Sequence, residues 1–473
     1  MRDLVRLYHH LPSYLRFFAA SAHGFYLRFW RYGPETEQLV EDTLERETWS
    51  PERWQAWQSE RIACVLHRAA TKVPYYREQW AKRRRLGDRS SWEYLENWPI
   101  LEKEPLREIP KAFVADDYDI RSMFRVHTSG TTGKPLDLWR SRDTDRAWYA
   151  LFEARCRQWY GVSRRERWAI LGGQLVIPVD RRRPPFWVLN VALNQLYMSS
   201  YHLAPHLIPH YLDALRRYQI KHLLGYTSSL YSLAQEALRM GRNELRMAVA
   251  ITNAEPLFNY QRETIAEAFQ CPVRETYGMA EIVAAASECR EGGLHLWPEA
   301  GLVEVMEDGQ PIPNRTPGDF VCTGFLNAGM PLIRYRTGDR GVLEPNFKNA
   351  PCACGRSLPV LAVVEGRVDD SLYTRDGRRV GRLDPVFKKQ LPVREAQIVQ
   401  EALDRLRVRY VPAPGYTPDA GRSIVKRLQA RMGEVEVILE ELDEVPRTSN
   451  GKFQAVICNL SAEERGQLEK QAA

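Results

Sequence analysis

Thr128-Ser129-Gly130-Thr131-Thr132-Gly133-Lys134-Pro135 is the stretch on which the reading of this chain turns. Its two glycines let the backbone take positive φ and approach a ligand closely. Its serine and threonines add hydroxyl donors to the exposed backbone N–H groups. Together these can wrap phosphate oxygens. The string is not a Walker A loop, which needs glycine five residues before the Gly133-Lys134 pair, where Thr128 stands. A plain Ser/Gly-rich surface turn is the alternative, and eight specified residues argue against it.

Working outward, Phe124 to Thr128 reads as a strand entering the loop and Leu136 to Trp139 as a strand leaving it. Residues 142–160 read as a helix. His222-Leu223-Leu224-Gly225 is strand-like. Thr227-Ser228-Ser229 then caps a helix with Leu230, Leu233, Ala234, Ala237 and Leu238 on one face. Met247 to Thr252 reads as a buried strand, Pro256 to Phe269 as a helix, and Pro272 to Tyr277 as another strand. This βαβαβ run predicts a parallel sheet with helices on both faces. Short strands between 300 and 370 predict an antiparallel or barrel-like subdomain. Residues 1–115 read as mostly helical, with Ser50-Pro51-Glu52 a good helix start. The last hundred residues read as a separate α+β unit: helix 383–391, strand 405–411, helix 420–433, strand 435–440.

Length and composition bound the answer. A chain of 473 residues predicts more than one domain, and 44% hydrophobic with 27% charged residues is a globular balance. The net charge of +7 suits an anionic ligand. No long Lys/Arg tract and no finger spacing speaks for nucleic acid. Eight cysteines in so long a chain do not read as a disulfide framework, so a reducing, cytoplasmic setting is expected. No apolar run approaches the roughly 20 residues of a membrane helix. Phe17 to Leu27 faintly resembles a signal-peptide core, but no convincing cleavage site follows. The aromatic and arginine-rich segment Met1 to Trp30 is read as a helix packed on its own domain. A membrane-surface helix, which would make the protein membrane-peripheral, is the alternative.

The octet resembles the phosphate loop of the adenylate-forming, acyl-CoA synthetase superfamily. Within it, the chain looks most like the phenylacetate–CoA ligase family and its capsule-biosynthesis-associated homologues. The resemblance runs in order along nearly the whole chain. Val73-Pro74-Tyr75-Tyr76-Arg77 comes first. Asn253-Ala254-Glu255-Pro256 matches the adenine-side loop, with Asn253 where a small residue is common. Glu275-Thr276-Tyr277-Gly278-Met279-Ala280-Glu281, Tyr335-Arg336-Thr337-Gly338-Asp339, Gly366-Arg367-Val368-Asp369-Asp370 and Pro446-Arg447-Thr448-Ser449-Asn450-Gly451-Lys452 follow. The resemblance implies an α/β fold with a large adenylate-forming body of parallel and mixed sheets, residues 1–367. A small, mobile α+β C-terminal lid, residues 368–473, completes it.

The resemblance also assigns roles. ATP or AMP is held by Thr128 to Lys134, Asn253 to Pro256, Glu275 to Met279, Asp339 and Arg367. Tyr277 offers adenine an aromatic face, or is a core tyrosine. Glu281 suits Mg2+, a hard cation, or is a solvated helix-start residue. Asp339 would accept from the ribose hydroxyls. Arg367 would reach the ribose or α-phosphate, or form an interdomain salt bridge. Thr131, Glu281 and Lys452 are the catalytic set. Lysine at position 452 would bridge carboxylate and α-phosphate, offsetting the repulsion between two anions. Asp369 and Asp370 form the hinge. Tyr226 and Thr227 would wall the acid pocket.

Pro351-Cys352-Ala353-Cys354-Gly355 forms a Cys-x-Cys knuckle, and upstream Cys289 and His295 have five residues between them. Three thiolates and an imidazole would make a closed tetrahedral zinc site. The resemblance is consistent with that, since members of the family carry such cysteines. Two unrelated cysteine pairs are the alternative.

The reaction expected is activation of a small carboxylic acid, aryl or other, by ATP and Mg2+ to an acyl-AMP, then transfer to the thiol of CoA. Transfer to an amine, a glycan hydroxyl or a carrier-protein thiol is the rival within enzymes. A non-catalytic binding protein is the rival from another class, and Lys452, Asp339 and Glu281 argue against it. Homodimers occur in similar enzymes, and nothing in the sequence speaks for or against one.

Overall fold

The computed structural model describes residues 7–127, 136–178, 181–242, 244–313, 315–344, 352–367, 372–375, 379–380, 391–447, 453–461, 463–465 and 467–468. The chain divides into two compact units. One comprises 1–257, 262–337 and 341–363, and the other 258–261, 338–340 and 364–473.

The first 115 residues are largely helical. The helices are α1 (Ser13–Arg31), α2 (Thr36–Arg46), α3 (Pro51–Lys72), α4 (Pro74–Arg85) and the short α5 (Lys103–Glu108). The expected start of α3 is realised: Ser50 accepts from Arg53 N–H and Pro51 occupies the first turn, where a missing N–H costs nothing. Val73-Pro74 separates α3 from α4 because proline disfavours helical backbone in the residue before it. Val73 is extended at φ −100°, ψ 117°.

Two antiparallel strands, β1 (Phe124–His127) and β2 (Asp137–Arg140), flank the octet that opened the reading. Helix α6 (Arg142–Cys156) follows, capped by Ser141, whose Oγ accepts from Thr144 N–H. A 13-stranded sheet then dominates the first unit. Its strands are β3 (Trp168–Gly172), β4 (Trp187–Asn190), β5 (Gln195–Ser199), β6 (His222–Tyr226), β7 (Val249–Asn253), β8 (Val273–Gly278), β9 (Ala285–Glu288), β10 (Leu294–Leu296), β11 (Gly301–Glu307), β12 (Gln310–Pro311), β13 (Gly318–Gly324), β14 (Tyr335–Glu344) and β15 (Val360–Arg367). Their spatial order is β12-β11-β13-β14-β15-β10-β9-β8-β7-β6-β3-β5-β4.

The expected parallel core is present: β5, β3, β6, β7 and β8 pair in parallel. Helices α7 (Ile208–Arg217), α8 (Thr227–Arg239) and α9 (Asn259–Phe269) are interleaved with these strands. Helix α9 starts three residues later than Pro256 suggests, because the residues from Ala254 first turn out through a left-handed backbone. The strands after 300 are not a separate barrel. β11 pairs β13 antiparallel within the same sheet, and β10 joins β15 to β9.

In the second unit β16 (Leu372–Tyr373) pairs antiparallel with β17 (Arg379–Val380), and β18 (Val393–Ala402), β19 (Arg405–Pro412), β20 (Glu436–Glu441) and β21 (Val456–Cys458) form a sheet of order β20-β19-β18-β21. Helix α10 (Pro418–Met432) contributes Ile424, Leu428 and Met432 to one apolar cluster with Leu372, Ile398, Leu406, Val408 and Val435. The sequence did not announce β18, since Glu395, Gln397 and Gln400 interrupt its apolar alternation. Gln400 is fully buried. It pairs with Tyr373, accepting from its N–H at 2.9 Å and donating to its carbonyl at 2.8 Å. The expected helix 383–391 lies, but for Leu391, outside the described residues. Among the described residues, no helix is long and apolar enough to cross a membrane.

Candidate functional site

Ligands of open α/β sheets sit beyond the carboxyl ends of the parallel strands. At those ends β6 delivers Tyr226, β7 delivers Asn253, and β8 delivers Thr276, Tyr277 and Gly278. Tyr226 and Asn253 are register partners, and Thr252 stands beside Glu275. Thr276 Oγ1 donates to Thr252 O at 2.8 Å, tying β8 to β7 below the site. Thus the structure brings together three segments separated by more than twenty residues each.

The loop after β7 is clamped. Glu255 accepts from Ser228 N–H at 2.7 Å and from Ser228 Oγ at 3.1 Å. Thr227 Oγ1 donates to Glu255 O at 3.1 Å. A carboxylate at the first turn of α8 faces the positive end of the helix dipole. Glu255 and the buried Thr227 therefore shape the loop through these bonds. Ala254 sits at φ +63°, a conformation costly for a residue with a Cβ and held by this clamp. Asn253 Oδ1 is buried without a hydrogen-bond partner among the described residues. Burial pushes the Tyr226 phenol up to about 12 against the N–H of Gly173, from which it accepts, so the hydroxyl stays protonated.

Beyond β8, Tyr277 meets Phe320 edge-on, with ring centroids 6.1 Å apart at 73°. The turn Met279-Ala280-Glu281 is gripped by Arg140, whose Nη2 donates to Ala280 O. Arg140 ends β2, so the same residue links this turn to the hairpin β1–β2. Asn327 holds the hairpin from another side, donating to Trp139 O at 2.9 Å. Glu281 Oε1 accepts from Tyr335 Oη at 2.8 Å, and Tyr335 is fully buried at the start of β14. Tyr335 is legible in the sequence only as part of a motif, without its partner; 54 residues separate the two, so no local signal could pair them. Asp339 lies in β14 four residues on. Thr128, Ser129, Gly130, Thr131, Thr132, Gly133, Lys134, Asp369, Asp370 and Lys452 lie outside the described residues, and Arg367 closes the backbone of β15.

A second cluster forms where β9 turns into β10. Cys289, His295, Cys352 and Cys354 bring their ligand atoms within 4.8 Å of one another. Cys289 Sγ is 3.7 Å from Cys352 Sγ, and Cys354 Sγ is 3.3 Å from His295 Nε2. His295 Nδ1 lies 3.1 Å from Leu358 O. A carbonyl only accepts, so Nδ1 carries the proton and Nε2 presents its lone pair to the thiols. Gly293 leaves the room: a Cβ there would stand 3.3 Å from both Cys352 Sγ and His295 Nε2. Next to the knuckle, Arg356 Nε donates to Glu47 Oε2 at 2.8 Å, and Glu47 also receives Trp159 Nε1 at 2.7 Å. Arg155 is buried among these, forked onto Glu299 at 2.8 and 2.9 Å. Burial opposes its charge, but the carboxylates of Glu299 and Glu47 outweigh that and raise its pKa.

Comparison with known proteins agrees with this architecture. The family described as "CapK C-terminal domain" matches residues 372–459. The chain is 25% identical over 396 residues to protein CapK of Staphylococcus aureus, covering 82% of this chain and 85% of that one. It is 26% identical over 361 residues to the phenylacetate-coenzyme A ligase of Thermus thermophilus, covering 70% and 74%. A crystal structure of 2-hydroxyisobutyryl-CoA ligase in the postadenylation state, in complex with R3-HIB-AMP, superposes with a TM-score of 0.67 at 20% identity, covering 90% of this chain and 94% of that one. The relatives are thus CapK and phenylacetate-coenzyme A ligases, and the fold is that of the adenylate-forming CoA ligases, as the ordered motifs implied.

Proposed function

We propose that this protein is an AMP-forming acid ligase: it joins a small carboxylic acid to the α-phosphate of ATP, releases pyrophosphate, and passes the acyl group to a thiol, that of CoA. The observation that carries this reading is the convergence of Tyr226, Asn253 and Tyr277 at three parallel strand ends, with Glu281 held beside them by Tyr335. The unpartnered Oδ1 of Asn253 fits a donor such as an amino group of the nucleotide base. Tyr277 fits an adenine face. Asp339 fits the ribose, and Arg367 the ribose or α-phosphate. The octet from Thr128 fits the phosphates, with Thr131 among the catalytic residues. Asp369 and Asp370 serve as hinge, and residues 368–473 as mobile lid.

Glu281 fits Mg2+, which when bound offsets phosphate charge. The chain's own work is to hold the two anions together. Lys452 lends a positive charge between carboxylate and phosphate, and replacing it with alanine is expected to slow adenylation on the order of 10²–10³-fold. Cys289, His295, Cys352 and Cys354 fit a structural zinc ion, since their donor set of three sulfurs and one nitrogen is that of closed zinc sites.

ATP–pyrophosphate exchange against a broad carboxylic acid library tests the reading. Clear ATP binding with no exchange for any acid would instead favour a binding protein. A second reading keeps adenylation but changes the acceptor to an amine, a glycan hydroxyl or a carrier-protein thiol. It rests on the resemblance to the capsule-associated homologues, and residues 372–459 match the family described as "CapK C-terminal domain". A panel of acceptors offered to the preformed acyl-AMP separates the two.

A further inference from the structure

The start of α1 holds a charge that no described residue neutralises. Arg16 is 2% exposed. Its Nε and Nη1 are buried without any hydrogen-bond partner, and its one bond is a long one, from Nη2 to Ser13 Oγ at 3.4 Å. Among the described residues no carboxylate pairs with it. The charged group closest in effect is another cation, Arg181, which shares Ser13: its Nη2 donates to the same Oγ at 3.2 Å. The remaining bonds of Arg181 go to the carbonyls of Arg183 and Pro184, so among the described residues it too lacks an anion.

Burying one guanidinium unpaired is costly, and placing a second beside it adds repulsion. Such an arrangement persists where an anion completes it. Room for one exists: a cleft of about 490 Å3 is lined by His9, His10, Ser13, Arg16 and Arg181. The cleft opens at the N-terminus of a 19-residue helix whose first turn contains no acid and whose N-cap, Pro12, supplies no side-chain acceptor. Its first backbone N–H groups and the positive end of the dipole therefore add to the same field. Guanidinium forks match the oxygen geometry of a phosphate.

We infer that Arg16 and Arg181, at the N-terminus of α1, form a binding site for a phosphate ester, separate from the proposed adenylation site. The same helix points to where that phosphate comes from. Tyr14, Phe18, Phe25 and Phe29, spaced four, seven and four residues apart, fall on one helical face, and each is more than half exposed. No acidic residue lies in α1, and Arg28 and Arg31 stand in its last turn. Aromatic and cationic residues on an acid-free helix are the make-up of helices that lie in a lipid headgroup layer.

The test uses the full chain and two probes. Glycerol 1-phosphate is titrated while following thermal unfolding, and phosphatidylglycerol vesicles are compared with phosphatidylcholine vesicles in a flotation assay. The expected result is binding to the anionic vesicles that weakens about tenfold or more in Arg181→Gln and in Arg16→Gln, one charge-assisted contact being lost in each. Arg181→Gln alters an accessible side chain and is expected to retain its fold and its pyrophosphate exchange. A rise in Tm with glycerol 1-phosphate that both variants lose, without vesicle binding, supports the same site with a soluble phosphate as ligand. No response to either probe, or a response that Arg181→Gln and Arg16→Gln leave unchanged, overturns the inference. Pyrophosphate exchange measured in parallel reports on the adenylation reading independently.

Discussion

Replacing Tyr335 with phenylalanine removes one oxygen atom from the buried side of the proposed site. That oxygen donates to Glu281 Oε1 at 2.8 Å, and the ring around it is fully buried, so the packing itself is kept. A hydrogen bond to a charged group contributes about 1.5–3 kcal/mol. If all of it were felt in the transition state, the loss would be roughly 10- to 150-fold in rate. The Glu281 carboxyl group itself is retained in the variant, so only its orientation suffers, and about tenfold is expected. Because the role is one of positioning, the informative assay is pyrophosphate exchange as a function of Mg2+ concentration. Tyr335→Phe should raise the Mg2+ needed for half-maximal exchange several-fold, while Glu281→Gln should lower exchange more severely at every concentration. A Tyr335→Phe enzyme with a lowered Tm but an unshifted Mg2+ dependence would refute the reasoning, since the hydroxyl would then serve stability alone.

Metal analysis of purified protein should find about one zinc per chain, and Cys352→Ser should lower both zinc content and Tm; less than about 0.2 zinc per chain would remove the site. His222 is buried against Trp168 with neither ring nitrogen hydrogen-bonded. Burial, then the charge of Arg157, pushes its pKa down to about 3 from 6.5. The folded state therefore refuses a proton that the unfolded state takes up, so this stability is whole above pH 6.5 and is lost as pH falls toward 3. The loss is on the order of 2–3 kcal/mol between pH 7 and pH 4.5, and urea unfolding of His222→Phe should lack that part of the pH dependence. Glu299→Gln leaves the buried Arg155 half-paired and should cost about 3–5 kcal/mol in the same assay; a loss below about 1 kcal/mol would mean that Glu47 alone neutralises Arg155.

Much of the fold was legible because its signals are local. The strands and helices from His222 to Gly278 announce themselves by apolar runs, Ser/Thr caps and prolines within a few residues of their ends. The α3 start at Ser50-Pro51 is of the same kind. Where reading failed, the deciding partner was remote. β18 carries buried glutamines that look wrong for a strand until Tyr373 supplies both halves of a backbone-like pair to Gln400. The strands after 300 read as an antiparallel or barrel-like subdomain; β11 and β13 do pair antiparallel, but their hydrogen bonds continue one large sheet.

The sequence by itself determined which residues are candidates for chemistry, because residue type and spacing within a loop are local facts: the glycine-threonine octet, the Tyr277 to Glu281 run, the cysteine knuckle. Only the tertiary structure decided what those residues are free to do. It spends Glu255 and Thr227 on clamping a loop, and it gives Glu281 a buried tyrosine as its holder. It closes four metal-type ligands to within 4.8 Å across sixty-five residues of chain, and it leaves Arg16 buried with no carboxylate partner among the described residues. The physical reason is the same in each case. A hydrogen bond, an ion pair or a ligand sphere depends on distances of a few angstroms between residues far apart in the chain, and only packing sets those distances.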